Sequence, residues 1–169
     1  MTPVTAPDQT AHRMSSAEDL GIVDGLVQLS FFMQAVLGRV ATNYDVSIIQ
    51  ARLVGMLRDR ELGMAQLARV LNLDKSSTTG LVDRAEARGL VRRTTVPEDA
   101  RAVHVVLTPE GARLAKAFAA EVEEQVHAAV DVLSDTKRRQ LSLLASQVVL
   151  NDAARQGLDL STGRSGPAR

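Results

Sequence analysis

The order of elements between Met64 and Leu107 constrains the fold more than any other feature of the chain. Met64, Leu67, Ala68 and Leu71 fall at i, i+3, i+4 and i+7, the apolar stripe of a short helix. Leu71-Asn72-Leu73 then makes a tight break. Asp74 is placed to cap a second helix whose inward face is Thr78, Leu81, Val82 and Ala85. Gly89 ends that helix as a left-handed cap, with apolar Leu90 just beyond. Two strands follow, Leu90 to Thr95 and Val103 to Leu107, joined by the turn-rich Val96-Pro97-Glu98-Asp99-Ala100.

Helical patterns flank this unit on both sides. Ser16 is the expected cap of a helix running to about Thr42, whose apolar residues (Leu20, Ile22, Val23, Leu26, Val27, Leu29, Phe31, Phe32, Met33, Val36, Leu37, Val40) occupy more than one face. A helix apolar nearly all round must be covered on several sides, and in a chain of 169 residues a second subunit is the simplest cover. Ser47-Ile48-Ile49-Gln50 has the form of a capping box, opening a helix with Ile49, Leu53, Met56 and Leu57 on one face. Thr108-Pro109 opens another, along which Leu114, Phe118, Val122, Val126 and Val130 recur every four residues. Ser134 is the expected cap of a last helix with a Leu141, Leu144, Ala145, Val148 stripe. The predicted class is therefore mainly α with a small β-hairpin wing: a winged helix-turn-helix plus a helical dimerisation region. Its expected parts are an N-terminal arm (1–15), an N-terminal dimerisation helix (16–45), the winged helix-turn-helix (46–108), C-terminal dimerisation helices (109–155) and a disordered tail (156–169).

Composition narrows the function. With only 2% aromatic residues, the core must be built from Leu, Val, Ile and Ala. The absence of cysteine excludes disulfides and thiol-based redox sensing, and it fits a reducing cytoplasm. No uninterrupted apolar run reaches the length of a membrane span, and residues 1–16 lack the apolar core of a signal peptide, so no membrane partner is expected. A formal net charge of zero argues against a protein that merely coats phosphate. A site-specific reader needs only one basic face.

In such a unit the second helix enters the major groove, where base edges carry a unique donor and acceptor code. Its start reads Lys75, Ser76, Ser77, Thr78, Thr79: one cation and four short hydrogen-bonding side chains, with Thr78 expected to pack inward. Lys75, Ser76, Ser77 and Thr79 are the expected contacts of this helix with double-stranded DNA. Arg84 is the fifth candidate, open between phosphate contact and a structural pair with Asp83. On the hairpin, Arg92, Arg93 and Arg101 form a cluster with Arg88, and Arg101 at the tip suits a narrow minor groove. Asp99, two residues away, is placed to hold that guanidinium in one pose.

Taken as a set, Leu67-Ala68, Leu73-Asp74-Lys75-Ser76-Ser77, Thr79, Leu81-Val82-Asp83-Arg84, Gly89-Leu90-Val91, Asp99-x-Arg101 and Leu107-Thr108-x-Glu110-Gly111 resemble the signature of the MarR family of transcriptional regulators. The resemblance spans about residues 46–115 by motif and the flanking helices by layout. It implies a recognition helix at about Asp74–Arg88, a wing arginine at Arg101 positioned by Asp99, and a homodimer built from the first and last two helices. It also implies an inducer site near the junction of the dimerisation and DNA-binding lobes. Two positions depart from the family pattern. Gly80 stands where many members carry Arg or another larger residue, and Ala85 stands where Leu is usual.

Phe31, Tyr44 and Phe118 are the expected lining of an effector pocket for a small apolar or phenolic ligand, with core packing the competing reading. Glu123 and His127 at i, i+4 have metal-ligand spacing but read as a solvated or dimer-facing pair, so no metal and no cofactor are expected. No nucleophile, phosphate-loop or dinucleotide motif is present, which points away from an enzyme. The predicted function is a sequence-specific, dimeric DNA-binding regulator, a repressor in its simplest form, acting on a pseudo-palindromic operator. The alternative is a winged helix that binds protein and has given up DNA.

Overall fold

The computed structural model describes residues 19–96 and 99–157, with the backbone alone at 96 and 99–102. Among these residues the elements run α1 (Gly21–Asn43), α2 (Ile48–Met56), β1 (Leu62–Gly63), α3 (Met64–Leu71), α4 (Lys75–Ala87), β2 (Val91–Val96), β3 (Asp99–Leu107), α5 (Pro109–Val130) and α6 (Asp135–Arg155). The chain divides into two compact units, one ending at Gln34 and the other beginning at Ala35.

Three turns that steer the helices share one device. Asp45 (φ 51°), Asn72 (φ 54°) and Gly89 (φ 70°) adopt left-handed backbone. After α4, the Leu90 N–H donates to the Ala85 carbonyl and the Gly89 N–H to the Glu86 carbonyl. That pair of bonds closes the helix end and reverses the chain. The same pair recurs at Asn72, whose neighbour Leu73 reaches back to Ala68, and at Asp45, whose neighbour Val46 reaches back to Ala41. The tight break between the two central helices is thus a capped turn of two non-helical residues followed by the Asp74 cap.

The sheet is larger than the expected hairpin. β1 lies against β3, with Leu62 opposite Val105, so the strand order is β1-β3-β2. The wing strands are also longer than expected, with β2 reaching Val96 and β3 beginning at Asp99, and the register shifts between Thr95 and Val96. The second unit's core is aliphatic: Leu53, Leu67, Leu71, Leu81, Val82, Val91 and Val105 are all fully or almost fully buried. The expected inward face of α4 is borne out, since Thr78, Leu81, Val82 and Ala85 are buried. Thr78 offsets its desolvation by donating its hydroxyl to the Asp74 carbonyl at 2.8 Å.

At the ends the structure corrects several expectations. Ser16 lies outside the described residues. Helix α1 begins at Gly21, where Asp19 accepts the Gly21 N–H at 2.9 Å. Ser134 occupies the N-cap position of α6 without making the side-chain bond. Residues 156 and 157 do not belong to a loose tail: Arg69 of α3 donates to the Gly157 carbonyl at 2.8 Å and to that of Gln156 at 3.4 Å, binding the C-terminal end of α6. By length and composition α1 is apolar enough to cross a membrane, although no uninterrupted apolar run is present. In the single chain Ile22 (79% exposed), Val23 (69%), Leu143 (60%) and Val148 (58%) lie open to solvent, so the apolar faces of α1 and α6 are uncovered.

The start of α5 is fixed by a close approach. The Leu90 carbonyl accepts the Thr108 N–H at 3.1 Å, and the Thr108 hydroxyl accepts the Gly111 N–H at 3.0 Å. A Cβ on Gly111 would lie 1.9 Å from the Leu90 carbonyl oxygen, a backbone atom. Gly111→Ala is therefore expected to destabilise the fold by about 1–3 kcal/mol despite the better helix propensity of alanine. Thermal unfolding of the variant checks this, and an unchanged or higher Tm would refute the close approach.

Candidate nucleic-acid interface

Helix α4 presents one buried and one open side. Lys75, Ser76, Ser77, Thr79 and Arg84 are exposed, while Gly80 between them is half-buried. Asp74 organises the first turn. Its carboxylate accepts the Ser77 N–H at 2.7 Å, the Ser76 hydroxyl at 2.6 Å and the Ser77 hydroxyl at 2.8 Å. The Ser76 hydroxyl first, then the Ser77 N–H and hydroxyl, hold the Asp74 carboxyl well below the usual carboxylate range. Thr79 donates its hydroxyl to the Lys75 carbonyl at 2.9 Å. The five recognition-helix candidates therefore share one solvent-facing surface, with their hydroxyl protons already committed.

The arginines divide into two groups. Arg93 turns inward from the wing and bridges Asp83, at 2.6 Å, and Glu86. The hydrogen bond it donates to Asp83, reinforced by Glu86 and opposed by partial burial, pushes the Arg93 guanidinium further up. Asp83 thus pairs with Arg93 and not with Arg84, which removes the structural pair considered for Arg84. Arg88 reaches the Asp45 carbonyl and lies 3.6 Å from its carboxylate. By contrast, Lys75, Arg84 and Arg92 are exposed, and none has a side-chain partner among the described residues. The side chains of Asp99 and Arg101 lie outside the described residues, and their backbone opens β3. Arg93 bridges two carboxylates next to the open face of α4 and offsets part of their charge, a role that residue counting along the chain did not reveal.

The effector candidates separate. A cavity of about 250 Å³ opens among Leu37 of α1, Ile48, Val54 and Met56 of α2, and Leu114, Phe118 and Val122 of α5, with the exposed Arg52 and Arg58 also lining it. Phe118 lines this cavity. Tyr44 stacks at 6.1 Å, tilted, on Phe118 but lines a separate, more polar cleft with Glu121 and Gln125. Partial burial, then the hydrogen bond and charge of Glu121, push the Tyr44 hydroxyl up. Phe31 lies on the first unit, 58% exposed. Arg52 and Arg58 were not among the sequence candidates, because nothing in the local pattern around them points to a cavity. The Glu123–His127 pair lies 3.6 Å apart and exposed, and no cluster of three metal-ligating side chains occurs among the described residues.

A capped helix exposed after a tight turn, with a three-stranded sheet and its wing hairpin beside it, defines a winged helix-turn-helix transcriptional regulator. Residues 44–102 match the MarR family. The chain is 30% identical over 131 residues to the HTH-type transcriptional regulator FarR of Neisseria gonorrhoeae, covering 76% of this chain and 90% of that one. It is 29% identical over 121 residues to the HTH-type transcriptional regulator PecS of Dickeya dadantii (strain 3937), covering 69% and 71%. Its fold is similar to a crystal structure of NadR in complex with 4-hydroxyphenylacetate (TM-score 0.64, 27% identity, 79% of this chain and 96% of that one). The chain belongs to the MarR family.

Because the Asp74 pKa is depressed on folding, its cap stabilises the protein fully above the ordinary carboxylate range and is lost as pH falls through the depressed folded value. Asp74→Ala is expected to lower Tm at neutral pH, with the difference from the parent constant above about pH 5 and shrinking in acid. Thermal unfolding between neutral and strongly acidic pH checks this. A difference that grows in acid would contradict the capping geometry.

Proposed function

We propose that the chain works as a homodimer that places two copies of α4 in successive major grooves of a pseudo-palindromic operator, about one helical turn apart. The observation that carries the reading is the open side of α4: exposed hydroxyls with Lys75 and Arg84, while Asp83 and Glu86 nearby are bridged by Arg93. Lys75, Ser76, Ser77, Thr79 and Arg84 contact the major groove, and Arg92 the phosphate backbone. Arg101, positioned by Asp99, enters the flanking minor groove. Arg93 acts from behind, by bridging Asp83 and Glu86 and offsetting part of their charge. The exposed apolar residues of α1 and α6 are covered by the second subunit, which gives the apolar helix α1 its cover within a cytoplasmic protein. The parts 16–45 and 109–155 are then the dimerisation region, and 46–108 the reading head.

The cavity between α2 and α5 is the effector site of this reading. Its walls are almost wholly apolar, and Arg52 is a cation without a side-chain partner among the described residues. A small apolar or phenolic ligand fits that chemistry, as 4-hydroxyphenylacetate does in NadR. Binding there would shift the spacing of the two heads only to the extent that it favours one arrangement. The chain acts by occupying DNA and catalyses no reaction, and blocking a promoter is its simplest output.

Fluorescence anisotropy on an operator duplex at several salt concentrations tests the assignment. Arg101→Ala is expected to weaken binding by about 1–3 kcal/mol with the dimer intact. Arg92→Gln should reduce the salt slope by about two, one phosphate contact per subunit. Arg93→Gln should lower Tm and leave two anions facing the DNA, weakening all sequences alike. Unchanged binding by Arg101→Ala would remove the wing from the interface.

A further inference from the structure

The open side of α4 is not flat. A cleft of about 330 Å³ lies over Gly80, walled by Ser76, Ser77 and Arg84 of α4 and by Ile49 and Leu73 behind. Ser76, Gly80 and Arg84 recur every four residues and so share one helix face. A side chain at 80 would occupy the cleft: a Cβ there would meet the Arg84 Nη1 at 3.2 Å. A mid-helix glycine costs about 1 kcal/mol relative to alanine, and nothing in the backbone requires it, since the Gly80 φ is not positive. Its effect is to keep space beside an unpaired guanidinium.

The polarity of the walls is fixed. The Ser76 and Ser77 hydroxyls each donate to a different oxygen of Asp74, so toward the cleft they offer lone pairs alone. A phosphate oxygen, itself an acceptor, has nothing to give them. In the major groove only the cytosine and adenine amino groups donate. Arg84 supplies the opposite polarity, and its forked donors match guanine O6 and N7, whereas adenine presents an amino group beside its N7.

Resting on the DNA-binding reading above, we propose that this cleft reads one G·C base pair in each half-site. Arg84 donates to the guanine edge, a seryl oxygen of Ser76 or Ser77 accepts from the cytosine amine, and Gly80 supplies the space for the base edge. Gly80 is then a specificity determinant in its own right, and the thinned position in the recognition helix is a reading device.

Binding-site selection from random duplexes, with the full chain and with Gly80→Ala and Arg84→Ala, tests this. The parent is expected to select an invariant G·C pair at one position of each half-site and to lose roughly tenfold or more when that pair becomes A·T. Both variants should lose that preference while keeping the others. Gly80→Ala should at the same time raise Tm, because it improves the helix, a combination that a purely structural role for Gly80 would not give. Arg84→Ala weakening every duplex equally would make Arg84 a phosphate contact and overturn the inference, with the DNA-binding reading intact. A Gly80→Ala protein with the parent's preference would overturn it too. A parent that selects no sequence would remove both.

Discussion

At the Leu90 carbonyl three parts of the reading head meet. Leu90 follows the left-handed turn at Gly89 that ends α4, and the next residue, Val91, begins the wing. Its oxygen takes the Thr108 N–H, while the Thr108 hydroxyl reaches the Gly89 carbonyl at 2.5 Å and caps α5 through Gly111. The end of the recognition helix, the root of the wing and the start of the long helix α5 are thereby tied within a few ångströms. The tie leaves no space for a side chain at Gly111. Any displacement of α5 must therefore be felt by α4, because packed backbone contacts of this kind transmit movement instead of absorbing it.

This junction links the apolar cavity to the exposed side of α4 through one helix. Leu114, Ala115 and Phe118, within the first three turns of α5, line the cavity, and the same helix begins at the Thr108 cap behind α4. On the other side of the head, Arg69 of α3 grips the end of α6. The head is held at two points by long helices whose remaining apolar surface is open in the single chain. The open apolar surface and the exposed cations of α4 lie on different elements, and a chain of zero net charge can still carry one basic face.

Much of the head was legible in the sequence because its signals are local. Ser47 with Gln50, Asp74, Gly89, and Thr108 with Pro109 each announce a helix end through chemistry that lies within four residues, and each stands where expected. Strand β1 was not legible: it has two residues, and its partner β3 lies about forty positions away, so no periodicity marks it. The partner of Asp83 was equally hidden. Helix spacing places Asp83 next to Arg84 in the chain, but the side chain that reaches it comes from the wing. The cleft at Gly80 is visible in the sequence only as a glycine where a larger residue is usual. What that glycine leaves open depends on Ile49 and Leu73, which other elements supply.

The reading of DNA by two copies of α4 side by side has a direct physical signature. A chemical footprint of the full chain on fragments of its source genome tests it most directly. Salt-sensitive protection is expected at two major-groove patches about one helical turn apart, with flanking minor-groove protection outside them. Protection no stronger than on a random duplex, or a single unpaired patch, would contradict it.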